Sequence, residues 1–144
     1  MNTKELGSIG ECVAKTELVK RNIPVLTPIG DYLRYDFVFE YQGKFYKAQV
    51  KTCLKSKNGA CTFLCVSKKN HTTNKRLSDY VNDVDCFFYY CVDLDALAVI
   101  PISELKNNKT FNIRTTPAKT RLKNVHYFQD YTLDKYLATL NSDR

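Results

Sequence analysis

Residues 35–52 read YDFVFEYQGKFYKAQVKT. Two aromatic-rich runs flank Gln42-Gly43, a pair suited to a two-residue hairpin loop, and apolar residues alternate with polar ones on both sides. Closing the loop there sets Tyr41 opposite Lys44, and the count then opposes Tyr35 to Val50, Phe37 to Ala48 and Phe39 to Tyr46. Those six residues share one apolar face. On the other face Asp36 falls opposite Gln49, and Lys51 points the same way two residues on. The spacing therefore predicts a carboxylate, an amide oxygen and an ammonium within about 5–8 Å of one another. Two readings fit that face. One is a solvated surface with cross-strand attraction between Asp36 and Lys51; the other is a site for a divalent cation with a lysine beside it.

The second reading has a definite chemistry. A hard cation such as Mg²⁺ takes oxygen ligands, one or two of them from carboxylates, with water and phosphate oxygens completing its shell. It polarises a phosphodiester and acidifies a bound water, while a neighbouring ammonium stabilises the charge that builds on phosphorus oxygens. On this reading Asp36 is the main metal ligand, Gln49 a neutral ligand and Lys51 the cationic partner.

Working outward, residues 3–21 have helical spacing, with Leu6, Ile9 and Val13 in one stripe and Ala14 and Leu18 beside it. Pro24 predicts a stop near Asn22. VLTPIGDY supplies a short strand and a turn before the hairpin, and CTFLCV at 61–66 is expected as the third strand of a meander. A polar loop follows at 67–76, then a short helix at 77–83 and a buried strand VDCFFYYCV at 84–92. ALAVIPI at 96–102 is another strand, with a short helix starting at SEL, and TFNIRTT at 110–116 is an exposed strand. A final helix spans about 132–140. The order points to one α/β domain over residues 1–144 with a mixed sheet.

The chain has 144 residues, ten Tyr, eight Phe and a net charge of +7, which excludes a disordered chain and suggests a polyanionic partner. Six cysteines, at 12, 53, 61, 65, 86 and 91, form no CxxC pair, and His71 and His126 lie far from them in sequence. That spacing argues against zinc. The first residues, MNTKELGSIGEC, lack an apolar signal core, and no stretch approaches membrane-spanning length. Reduced thiols in a cytoplasmic protein are the expectation.

Asp36 after Tyr35, Gln49-Val50-Lys51, and a preceding helix bearing GSIGE at 7–11 together resemble the PD-(D/E)XK nuclease superfamily. More narrowly they are similar to bacterial homing endonucleases encoded in group I introns and built on the restriction-endonuclease fold. The motifs occupy about residues 5–53, and the likeness extends more loosely through the later strands. It implies a restriction-endonuclease-like αβββαβ core with a mixed central sheet and flanking helices. The implied catalytic set is Glu11, Asp36, Gln49 and Lys51, with Asp36, Glu11 and Gln49 holding Mg²⁺, for which Mn²⁺ substitutes. Tyr35 stands where the superfamily has proline, and Gln49 where it usually has a carboxylate; the homing branch uses glutamine there. Glu11 otherwise pairs with Lys15, and Glu17 competes with it by position on the helix. The resemblance selects Glu11.

Two acid-free blocks, 53–76 and 105–129, each carry six of the twenty-two Lys and Arg residues. Lys55, Lys57, Lys68, Lys69, Asn70, His71, Lys75 and Arg76 in the first, and Arg114, Lys119, Arg121 and Lys123 in the second, are the candidate DNA contacts. The expected function is a site-specific double-strand DNA homing endonuclease that promotes intron mobility. Its partner would be a long pseudo-palindromic duplex, and cutting both strands calls for a homo-oligomer, a dimer or a tetramer. A Holliday-junction resolvase on the same fold and a non-catalytic DNA-binding module are the alternatives.

Overall fold

Asn2 opens the first helix with a capping box: its side chain accepts the Glu5 N–H at 2.9 Å, and the Glu5 carboxylate accepts the Asn2 N–H at 2.9 Å. The computed structural model describes residues 1–67, 79–105, 108–119 and 125–142. Helix α1 runs Thr3–Lys20 and ends where Asn22 adopts a φ of 58° and the Ile23 N–H returns to the Leu18 carbonyl, just before Pro24. Strands β1 (Val25–Leu26), β2 (Phe37–Tyr41) and β3 (Lys44–Cys53) follow. The hairpin register is Phe37 to Ala48, Phe39 to Tyr46 and Tyr41 to Lys44, as its loop dictates, with Gln42 and Gly43 at positive φ.

Strand β4 (Ala60–Leu64) does not continue the meander. It leaves for a second, three-stranded sheet with β7 (Thr110–Arg114) and β8 (His126–Tyr127). The free edge of β3 is taken in parallel by β5 (Cys86–Cys91), which then pairs with β6 (Ala96–Pro101), giving the order β1-β2-β3-β5-β6. Side-chain patterns account for the exchange. All six residues of β5 are buried, so that strand needs cover on both faces, whereas β4 buries Cys61 and Phe63 and exposes Thr62. Strand β7 likewise buries Phe111 and Ile113, so it is half-buried where an exposed strand was expected. Among the described residues no helix stands between β4 and β5; of the short helix expected at 77–83, residues 77–78 lie outside the described residues, and 81–83 form a turn closed by the Asp83 N–H on the Tyr80 carbonyl.

The five-stranded sheet therefore lies between two layers. Cys86 and Phe88 of β5 face α1 and the final helix α2 (Leu133–Ser142), among Ala14, Leu18, Phe37, Phe39 and Leu137. Phe87, Tyr89 and Cys91 face the smaller sheet, where Tyr89 stacks on Phe63 with ring centres 4.4 Å apart. Each such buried aromatic or aliphatic side chain contributes on the order of 1.5–3 kcal/mol. The architecture is thus mixed α/β with flanking helices, as the resemblance implies.

One contact sets how close α1 comes to the sheet. Its buried stripe is Gly10, Ala14 and Leu18, one residue along from the stripe the apolar spacing predicts. A Cβ at Gly10 would overlap the hydroxyl oxygen of Thr52 on β3 and crowd Thr52 Cβ and Val50 Cγ1, at 3.2 and 3.1 Å. Rotating Thr52 cannot relieve all three. Gly7, by contrast, has open space around it. Gly7→Ala should therefore raise the unfolding free energy by up to about 1 kcal/mol through helix propensity. Gly10→Ala should lower it by about 1–3 kcal/mol. Urea unfolding of the two variants checks the contact, and equal gains from both would mean that α1 does not approach β3 this closely.

Candidate active site

Asp36 stands where the hairpin ladder breaks. Phe37 pairs with Ala48, and the Asp36 N–H also donates to the Ala48 carbonyl at 2.8 Å, so two residues oppose one in the manner of a β-bulge. This corrects the direct opposition of Asp36 and Gln49 and the facing of Tyr35 to Val50. The extra residue shifts the alternation, and Tyr35 packs on the core beneath the smaller sheet while Phe37, Ala48 and Val50 pack beneath the helices. The Asp36 side chain is stepped out of the alternation. Its Oδ2 accepts the Val50 N–H at 2.7 Å, which holds the carboxylate against β3.

From that position the carboxylate interacts with both layers. Glu11 and Lys15 of α1 lie close enough to act on it or be acted on electrostatically, as does Lys51 of β3. Burial, the largest cause, pushes the Asp36 carboxyl above its ordinary range, opposed by the Val50 N–H and the charges of Lys51 and Lys15. Glu11 is pushed up too, first by burial and then by repulsion from Asp36, against the pull of Lys15 at 3.7 Å. Glu11 thus pairs with Lys15 and also feels the charge of Asp36. Glu17 is used elsewhere: it bonds Arg21 at 2.9 Å, and Arg21 reaches Asp134 of α2 at 2.8 Å, tying the two helices.

Gln49 and Lys51 share a face of β3, both half-buried. The Lys51 ammonium sits 5.4 Å from the Tyr80 ring centre, and the Arg34 guanidinium 4.1 Å from the same ring. Lys51 also lines a groove of about 420 Å³ that runs between Thr3, Leu6 and Gly7 of α1 and Thr62 to Leu64 of β4. Lys15, Arg34 and Tyr80 are members of this constellation that the sequence pattern did not single out. Lys15 was visible only as a helix partner of Glu11, and Tyr80 lies 29 residues beyond Lys51 with no spacing to connect them.

The donor set suits a hard divalent cation. Two carboxylates, both pushed up by partial burial, lie within electrostatic range of each other at the strand break, and a cation would relieve what burial and repulsion impose. Of the basic candidates, Lys55 and Lys57 are exposed just beyond β3, and Lys119 is exposed beyond β7. Arg114 is half-buried and braces a neighbouring turn through the carbonyls of Asn58 and Thr116. Lys68, Lys69, Asn70, His71, Lys75, Arg76, Arg121 and Lys123 lie outside the described residues.

A nuclease family emerges from this geometry and from comparison with known proteins. The model of the PD-(D/E)XK endonuclease family matches residues 1–134, and the chain belongs to that family, whose members use divalent metal ions. Among solved structures, it is similar to a bacterial homing endonuclease, I-Ssp6803I, with 26% identity and a TM-score of 0.80 over 99% of this chain and 97% of that one. No curated protein matches. Among the described residues no helix is long and apolar enough to cross a membrane.

The raised carboxyl of Asp36 has a consequence for stability. Its folded pKa lies above its unfolded one, so ionisation opposes folding: the penalty is full above the folded pKa and vanishes below the ordinary carboxylate value. Asp36→Asn keeps an oxygen for the Val50 N–H and removes the charge. Its melting temperature should exceed that of the unmodified protein at pH 7, and the gap should close as pH falls towards about 4. A melting series over that range measures it; a variant less stable at pH 7 would contradict the assigned burial penalty.

Proposed function

We propose that the chain is a site-specific double-strand DNA homing endonuclease, hydrolysing phosphodiester bonds with Mg²⁺ or Mn²⁺ and promoting intron mobility. The proximity of the half-buried Glu11 and Asp36 to each other and to Lys51 carries this reading, because two carboxylates that repel each other beside an ammonium have a use in holding a cation against a phosphate. The likeness to a bacterial homing endonuclease supports the narrower assignment.

In this reading Asp36 and Glu11 hold the ion, with Gln49 offering its side-chain oxygen where the family pattern has a carboxylate. The chemistry that a divalent ion supplies at such a site is polarisation of the phosphodiester and acidification of an attacking water. The Val50 N–H keeps the Asp36 carboxylate oriented, and Lys15 offsets part of its charge. Lys51 presents its ammonium to the phosphate oxygens on which charge builds. With glutamine at 49, one negative charge fewer surrounds the ion, which leaves Asp36 and Glu11 as its anionic ligands.

The basic residues Lys55, Lys57, Arg114 and Lys119, with those outside the described segments, follow the DNA backbone. A site of this kind cuts one strand, so two copies around a two-fold axis address both strands of a long pseudo-palindromic target, as a dimer or within a tetramer. The cytoplasm is the compartment where such a target is reached.

Digestion of a large mixed-sequence DNA tests the proposal. A few discrete fragments should form with Mg²⁺ and none with EDTA. Asp36→Asn, Glu11→Gln and Lys51→Ala should each lower cutting by roughly 100-fold or more while DNA binding in a gel-shift assay persists. Cutting by Asp36→Asn at the unmodified rate would refute the site. Binding without cutting by the unmodified protein, on linear and four-way-junction DNA alike, would favour a non-catalytic DNA-binding module.

A further inference from the structure

The spacing of the cysteines hides a cluster that the fold assembles. Cys53 closes β3, Cys91 closes β5, and the two are partners in the parallel ladder. Cys61 comes from β4, in the facing sheet. Their three sulfurs all lie within 4.8 Å of one another, with Cys61 and Cys91 at 2.8 Å. Asp93 adds an oxygen: its Oδ1 is 3.0 Å from the Cys91 sulfur, while its Oδ2 accepts the Ser56 N–H at 2.9 Å and the Ser56 hydroxyl at 3.0 Å. Three sulfurs thus face one another, and an oriented carboxylate stands beside one of them.

We infer that Cys53, Cys61 and Cys91 form a site for a thiophilic divalent cation of the Zn²⁺ class, with the fourth position taken by water or, after a side-chain movement, by Asp93. Tetrahedral zinc holds thiolates about 2.3 Å from the metal, and so about 3.8 Å from one another, a separation this cluster reaches with small side-chain movements. Ser56 gives Asp93 the hydrogen-bonded support that metal-ligating carboxylates ordinarily have. Binding releases three thiol protons to solvent and leaves three thiolates on the cation. Sulfur donors select this ion over Mg²⁺, which keeps the site chemically separate from the carboxylates at Asp36.

A disulfide between Cys61 and Cys91 is the competing use of the same atoms. The observed 2.8 Å exceeds the about 2.05 Å of a sulfur–sulfur bond, and a disulfide would leave the Cys53 sulfur beside it unused. A cation uses all three thiols. It would pin the smaller sheet to the end of β3 at Cys53, two residues beyond Lys51, and so stiffen the strand that bears the proposed catalytic lysine. The inference does not depend on the nuclease reading.

The test uses the full chain, loaded with Zn²⁺ or Co²⁺ and dialysed. Elemental analysis should find about one zinc per chain, and the cobalt form should show thiolate-to-metal charge-transfer absorption in the near ultraviolet. Cys61→Ser and the half-buried Cys53→Ser should lose both signals; Cys12→Ser, at an exposed helix position outside the cluster, and Asp36→Asn should keep them. Retention of zinc by Cys53→Ser and Cys61→Ser would overturn the assignment. So would an unmodified protein that holds no zinc, whether mass spectrometry finds its thiols intact or finds the loss of two hydrogens that marks a Cys61–Cys91 disulfide.

Discussion

Two backbone donors converge on the carbonyl side of Ala48, and the site depends on that one irregularity. Without the extra residue at Asp36 the hairpin would alternate regularly, and the carboxylate would face away from the helix layer. With it, Asp36 leaves the alternation, takes the Val50 N–H on its own oxygen, and comes within electrostatic range of Glu11. A bulge is a local loss of ladder regularity that re-aims one side chain. Here the re-aimed side chain is the one around which the candidate active site gathers.

The rest of the fold supplies the stiffness that such a site requires. Gly10 admits β3 against α1, and the turn of helix that follows it carries Glu11 and Lys15 to the same place. Arg21 locks the far end of α1 to α2 through Glu17 and Asp134. Strand β5, buried on both faces, fixes the opposite edge of β3 so that Gln49 and Lys51 have a defined direction. Two carboxylates that burial disfavours are held together only because this packing offsets what they cost. Sites of this type concentrate destabilising charge where chemistry needs it.

Much of this was legible in the sequence, in graded fashion. The Gln42-Gly43 loop and the alternating aromatics set the hairpin register from Phe37 to Tyr41, and the helix before Pro24 runs nearly as its spacing predicts. The break at Asp36 was not legible, because nothing in YD distinguishes a residue in alternation from one beside a bulge. The sheet assignment of β4 was missed for a different reason: CTFLC reads as a strand, but which sheet it joins depends on β5 claiming the edge of β3 from far along the chain. The convergence of Cys53, Cys61 and Cys91 follows from the same exchange, since motif spacing registers ligands that are near in sequence and these come from three strands in two sheets. Glu11 is singled out over Glu17 by family likeness alone; in the structure Glu17 pairs with Lys20 and Arg21, and Glu11 with Lys15.

The central claim is that Glu11 and Asp36 occupy one shared electrostatic site. A carboxylate-detected NMR titration of Glu11, in the unmodified protein and in Asp36→Asn, addresses it without requiring a substrate. Glu11 should titrate above its ordinary value of 4.5 in the unmodified protein and move back towards that value once Asp36 is neutral. A Glu11 titration that is unchanged by Asp36→Asn would mean that the two carboxylates do not meet, and the site assembled around the bulge would have to be abandoned.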